Sequence, residues 1–264
     1  VVIYVGQGDP EKSMRLLWGA VPQAPPRRGP KAAISVDDIV AAAIGLADEG
    51  GIDAVSMRAV GERLGRTPMA LYTHVPGKAE LIELMWDRVL AGLPTSYDTS
   101  GGWRAALRAW AIDVWEFHLA HAWTLDVSGA RGGLGPHETQ QQETSGSILD
   151  GLGLSGRDVM RCVWSVSRLV HGSARAMAET RQATTATGVD EYDWWYARSG
   201  MFNEVAPDYA DRFPFLTRIA AEGTFEALGD GESYLEAEAR DTFEFSLERL
   251  LDGIETFIES SGRP

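Results

Sequence analysis

Apolar residues first recur at helical spacing from Val36. Val36, Ile39, Val40, Ala43 and Ala47 fall at i, i+3, i+4, i+7 and beyond, the stripe of an amphipathic helix. Ser35 ahead of them is a good N-cap, Asp37 and Asp38 suit the positive end of the helix dipole, and Gly50-Gly51 closes the segment. Ser56 caps a shorter helix with Val60 and Leu64 inward, ended by Gly65. Thr67 caps a third, with Pro68 at its first position, where a missing N–H is harmless. Its Ala70, Leu71 and Val75 face inward, which leaves Met69, Tyr72, Thr73 and His74 partly outward. So short a helix is marginal alone and must be held by its neighbours. Two short helices joined by a glycine turn and packed on a longer one make a helix-turn-helix, whose second helix can enter a major groove.

Pro76-Gly77 breaks the chain before "KAELIELMWDRVLAGL", a long helix from Lys78 to about Leu93, and a linker follows to Gly102. Further on, Leu107, Trp110, Val114, Phe117 and His121 share one stripe. Val159, Val163, Val166 and Val170 form another, with Trp164, His171 and Ala174 on a second line of the same helix. Phe243, Leu247, Leu250, Leu251, Ile254, Phe257 and Ile258 repeat along the last one. No alternating strand pattern with hairpin turns and no internal repeat occurs. The expected fold is all-α: a three-helix helix-turn-helix domain over residues 34–80, then a larger helical bundle over 81–264. The wide apolar faces of its late helices suit a bundle shared with a second copy. Residues 1–33 read as a flexible basic extension, because "QAPPRRGPKAA" is rich in proline and small residues. Leu16, Leu17 and Trp18 within it have no assigned partner.

Composition narrows the setting. With 264 residues, 44% hydrophobic and 23% charged, the chain can build a real core. It has no apolar run long enough to span a membrane and no signal-like start, and its single cysteine, Cys162, excludes an intrachain disulfide. A cytoplasmic protein is the expectation. The net charge of -14 is unevenly spread: 10 Lys and Arg meet 11 Asp and Glu up to residue 92, so nearly all the excess lies beyond. From Lys12 to Val36 there are five basic residues and no acidic one. Lys78 heads a helix, where its charge opposes the dipole unless an anion lies nearby. A surface that meets phosphate accounts for it.

The stretch "VSMRAVGERLGRTPMALYTHVPGKAELIELM", with its Leu-Tyr-x-His-(Val/Phe)-x-x-Lys ending, resembles the TetR-type (TetR/AcrR) one-component transcriptional repressors, and the match runs from Ser35 to about Leu93. The remainder is similar, more loosely, to the tetracycline-repressor-like ligand domain through "SRLVHG" and "FEFSLERLLDGIE". Gly61 stands where that family usually has alanine. The resemblance implies a recognition helix from Thr67 to Val75, with Tyr72 and Lys78 on phosphates and Met69, Ala70 and Thr73 toward base edges. Thr67, Pro68 and His74 complete that contact set. Arg58 would read a base, guanine being its natural partner, and Arg27, Arg28 and Lys31 would run as an arm along the backbone or minor groove. The implied partners are double-stranded operator DNA, a second copy of the chain and a small-molecule inducer. The structural alternatives are a half-buried core tyrosine at 72, a histidine at 74 that only packs, and a solvated Lys78.

Seven of nine tryptophans lie beyond residue 100, which points to an effector site. Trp110, Val114, Phe117, Trp164, Trp194, Trp195 and Phe202 are its candidate lining, with His118, His121 and His171 as candidate polar groups. Each aromatic taken alone is more often plain core, and "DEYDWWYARSGMF" either covers a pocket or pads the bundle. The acidic body favours a neutral or cationic aromatic effector. Tetracycline with magnesium is disfavoured, since the histidine expected at the end of the fourth helix falls at Pro94. His118 and His121 lie at i,i+3 without a third ligand, so neither a metal nor a cofactor is expected. No G-x-x-x-x-G-K-[ST], H-E-x-x-H or G-x-S-x-G occurs, so no catalytic residue is assigned and no enzyme is expected. The rival reading is a helical adaptor that binds a ligand or protein and does not act through DNA.

Overall fold

The computed structural model describes residues 3–19, 34–225 and 233–261; Arg27, Arg28 and Lys31 lie outside them. The chain enters through a two-residue strand, β1 (Ile3–Tyr4), and a helix, α1 (Pro10–Leu17). The three helices of the head follow: α2 (Val36–Gly50), α3 (Met57–Leu64) and α4 (Pro68–Tyr72). Helix α5 (Lys78–Leu90) leads to the body, made of α6 (Trp103–Ala120), strand β2 (Val127–Ser128), α7 (Pro136–Ser147), α8 (Gly156–Thr187) and α13 (Tyr234–Ser261). Between the last two run α9 (Glu191–Ser199), α10 (Phe202–Val205), α11 (Tyr209–Arg212) and α12 (Pro214–Ala221).

The expected caps form. Ser35 and Asp38 make a reciprocal capping box on α2, Ser56 accepts the Ala59 N–H, and Gly65 closes α3 at φ 62°, in the left-handed region. α4 is shorter than the Thr67–Val75 helix expected from the sequence. It ends at Tyr72, and Val75 packs into the core from the turn beyond.

Two apolar cores result. The first joins Ile39, Val40, Ala43, Val60, Leu71 and Val75 of the head to Leu81, Leu84, Met85 and Val89 of α5. It continues into Phe117, Trp123 and Val127 of the body, and Val5 closes it. The second gathers Leu107, Trp110, Ala111 and Trp115 with Val163, Val166, Val170, Met177, Phe243, Leu247 and Leu251. Because α5 is buried in the head core, the division expected at residue 80 cuts a helix whose apolar face belongs to the head.

The expected tail is ordered over residues 3–19. Asp9 accepts the Lys12 N–H and Pro10 opens α1, whose Leu16 and Leu17 pack against the first core. β1 pairs in parallel with β2, Ile3 opposite Val127 and Tyr4 opposite Ser128. The docking surfaces lie far along the chain, on α5 and β2, where local periodicity gives no sign of them.

α5 also carries an acidic stripe. Glu80, Glu83 and Asp87 fall at i, i+3 and i+7, and all three are buried. Glu83 Oε1 accepts the Gly8 N–H at 2.7 Å and Glu80 Oε1 the Asp9 N–H at 2.9 Å, at the start of α1. Asp87 Oδ1 accepts the His137 and Glu138 N–H groups, both at 3.0 Å, at the start of α7. Two helix N-termini, each with unpaired donors and a positive dipole end, thus satisfy the carboxylates of one helix. Burial pushes the Asp87 carboxyl above its ordinary range, and the Glu138 N–H bond pulls the other way.

Candidate nucleic-acid interface and junction cavity

α4 is short, yet both of its sides are determined. Leu71 and Val75 are fully buried, and the Thr67 hydroxyl caps the helix through the Ala70 N–H. What remains outside is Met69, 74% exposed, Tyr72, 46% exposed, and Thr73, whose Oγ1 donates to the Ala70 carbonyl at 2.7 Å. Thr67 and Pro68 are exposed as well, while Ala70, His74 and Lys78 are half-buried. Arg58 lies on the exposed side of α3, with Nε 2.8 Å from Glu62 Oε1 in an i,i+4 pair. Such an exposed pair contributes little, so the guanidinium can change partner at little cost. Met69 and Tyr72 thus stand in open water on α4, with Thr73 after them and Arg58 exposed on α3.

Head and body meet through Asp48 near the end of α2. Its Oδ1 accepts the Trp123 indole N–H at 2.9 Å and lies 2.8 Å from His121 Nδ1. Beside this joint is an open cavity of about 600 Å³, lined by Ile3, Ile52, Asp53, Leu125–Gly129, His171 and Arg175. The Arg175 guanidinium donates to the Leu125 carbonyl and lies 3.3 Å from Asp126 and 3.4 Å from Glu179. Its charge is therefore already met by Asp126 and Glu179, and the Asp53 carboxylate sets the sign of the cavity. The chamber suits a neutral or cationic molecule with an apolar face for Ile3, Ile52, Leu125 and Val127.

His118 backs this chamber. Its ring lies 5.5 Å from that of His171, edge to face. The Thr124 hydroxyl donates to the His121 carbonyl at 2.7 Å and so accepts from His118 Nδ1 at 2.8 Å, which places the proton on that nitrogen. Burial, and then the neighbouring His171, hold the His118 imidazole down at about 3. Burial, and then Arg175, lower that of His171 as well. At neutral pH both rings are uncharged.

The residues expected to line an effector site are only partly brought together. Phe117, His118 and His171 meet at the junction. Trp110 belongs to the body core, where its indole N–H has no partner among the described residues, and Val114 packs between the two cores. Trp164 is 48% exposed and faces outward beside Arg157, Met160 and Arg161. Trp194, Trp195 and Phe202 stand on α9 and α10, where nearly every side chain is exposed. Trp164 lies off the inward line of α8, which runs through Val163, Val166, Val170 and Ala174, and Trp194, Trp195 and Phe202 join neither core. Ile52, Asp53, Asp126 and Arg175 line the cavity and were missed. They belong to a short turn, a loop and a polar helix face, none of which carries an apolar period.

Comparison with known proteins adds an independent line. A family model described as "Bacterial regulatory proteins, tetR family" matches residues 39–85, and one described as "Tetracyclin repressor-like, C-terminal domain" matches residues 94–258. The chain is 34% identical to the HTH-type transcriptional repressor DrrR1 of Streptomyces coeruleorubidus, over 96% of its own length and 88% of that protein's. It is 28% identical to an HTH-type transcriptional repressor of Mycobacterium tuberculosis, over 90% and 86% of the two chains. The fold matches apo ActR from Streptomyces coelicolor with a TM-score of 0.69 at 22% identity, over 88% of this chain and 100% of that one. ActR in complex with actinorhodin matches with a TM-score of 0.67 at 24% identity, with the same coverage.

Proposed function

The chain belongs to the TetR family of bacterial transcriptional regulators, and on that premise we propose how it reads DNA and what releases it. Met69, Ala70, Thr73 and Arg58 face base edges, and Tyr72 and Lys78 hold phosphates on either side. Thr67, Pro68 and His74 border the same face. The single observation that carries this reading is the exposed ridge of Met69, Tyr72 and Thr73, on a segment anchored to the core by the fully buried Leu71 and Val75. A homodimer sets two such ridges on a roughly palindromic operator, because a two-fold axis demands related half-sites. The protein acts as a repressor rather than as a catalyst, and the cytoplasm, where operator DNA lies, is its place of work.

ActR, which shares the fold, binds actinorhodin in its solved complex, and a small-molecule inducer is the reading extended to this chain. The junction cavity is its site: it touches Ile52 and Asp53 of the head and His171 and Arg175 of the body. Its lining favours a neutral or cationic aromatic compound. Such a compound switches the protein only if it binds the DNA-incompetent arrangement more tightly.

Operator affinity measured by fluorescence anisotropy over a range of salt separates the contact classes. Tyr72→Phe and Lys78→Ala weaken binding to all sequences alike, and loss of Lys78 flattens the salt slope by about one unit per half-site. Arg58→Ala and Thr73→Ala instead relax preference at single base positions, by roughly 1–3 kcal/mol. Uniform loss in all four variants would remove the assignment of base readers.

A further inference from the structure

The segment before the head is built into the joint between head and body, although nothing in DNA reading requires it there. We propose that residues 3–19 form a strap that latches α5 to the wall of the junction cavity, so that a molecule filling the cavity releases α5 and with it the recognition helices. The inference rests on the effector reading of that cavity.

At one end, Ile3 stands in the cavity wall beside Val127, Ser128 and Gly129, held by the β1–β2 pairing and by the Val5 N–H, which donates to the Ser128 carbonyl at 3.0 Å. At the other, the Gly8 and Asp9 N–H groups meet Glu83 and Glu80 on the first turns of α5, directly after the recognition helix. Buried carboxylates are costly without donors, so these two bonds hold strap and lever together. A third tie joins the Trp18 indole N–H to the Leu134 carbonyl at 3.0 Å, on the loop ahead of α7. Gly8 is closely packed: a Cβ there would lie 2.7 Å from Ser13 Oγ and 3.0 Å from both Glu80 Cγ and Glu83 Oε1, so it would displace the side chains that make the latch. The strap thus grips α5 at its head end and the cavity wall at the other. A ligand that pushes Ile3 off β2 pulls on the same short segment that holds α5.

The test is hydrogen exchange by mass spectrometry on the full chain without DNA, with operator affinity measured in parallel. Gly8→Ala wedges the latch open, and the milder Trp18→Ala removes a tie made by a half-exposed side chain. Ile3→Trp crowds the cavity wall and stands in for an occupant. With helix content retained, Gly8→Ala and Ile3→Trp should speed exchange along α5 at least tenfold and lower operator affinity at least fivefold, and Trp18→Ala should shift both by less in the same direction. Exchange that rises only within residues 3–19 overturns the latch. Faster exchange along α5 with unchanged operator affinity overturns its coupling to DNA. Faster exchange after Gly8→Ala but not after Ile3→Trp overturns the link to the cavity. A parent protein that binds no operator removes the DNA reading instead, and α5 exchange still decides whether the strap holds the lever.

Discussion

A methyl group at position 61 would sit 2.8 Å from the Arg66 carbonyl oxygen and 3.4 Å from the Pro68 nitrogen. The turn between α3 and α4 folds back onto α3 at this point, with the Arg66 N–H donating to the Gly61 carbonyl at 2.8 Å. Gly61→Ala therefore moves the backbone that aims the recognition helix. It should cost roughly 1–3 kcal/mol, read as a lower Tm, together with weaker operator binding. A variant as stable as the parent would show that the turn gives way freely. His118 offers a second test at this scale. Its folded value of about 3 lies below the unfolded imidazole value of 6.5. The unfolded chain then takes up a proton that the folded one refuses, so the His118 contribution is complete above pH 6.5 and is lost as pH falls toward 3. In His118→Gln the acid-side slope of unfolding free energy should fall by one proton, about 1.4 kcal/mol per pH unit. Denaturant titrations between pH 7 and 4 measure it, and an unchanged slope would contradict the buried neutral ring.

At the scale of elements, α5 is the part on which the others converge. Its apolar side completes the head core, and its acidic stripe receives the N-termini of α1 and α7. A small rotation of α5 therefore cannot leave the recognition helix, the strap and α7 all in place. Asp87→Ala leaves the His137 and Glu138 N–H groups of α7 without their acceptor, and the cost should be about 2–3 kcal/mol. Asp87→Asn keeps a carbonyl acceptor and should lose less than half of that. Equal losses in urea titrations would mean that the charge, rather than the two hydrogen bonds, holds α7. α7 itself, "PHETQQQETSGS", carries no apolar stripe and could not be read from periodicity. It is a helix because Pro136 opens it and α5 caps it.

For the whole molecule, we propose that the exposed faces of α8 and α13 meet a second copy. Trp164 on α8 and Phe245 and Phe257 on α13 are exposed although both helices bury an opposite apolar line. Arg104 and Arg108 of α6 tie to Glu248, Asp252 and Glu255 of α13, so α6 braces the flank that adjoins Phe245. Trp164→Glu combined with Phe245→Glu should convert dimer to monomer in sedimentation at micromolar concentration, with operator affinity down at least a hundredfold. A parent that sediments only as monomer would defeat the two-headed reading at once.

Periodicity and caps in the sequence alone determined the head: Ser35, Ser56, Thr67, the Gly65 turn and the inward Val60, Leu71 and Val75 are contacts within some 40 residues. Local rules suffice there because each helix ends on its own side chains. The long stripes of α6, α8 and α13 were legible for the same reason. Only the tertiary structure decided the fate of residues 3–19, since a two-residue strand and an eight-residue helix are stable only on partners remote in sequence. It also decided which aromatics meet. A helix leaves its rotation about its own axis open until neighbours choose a side, and that choice sent Trp164 outward and brought His171 to the cavity. Asp53, Asp126 and Arg175 had no signal of their own, because a cavity is made by elements that converge in space, and convergence is not written into any one of them.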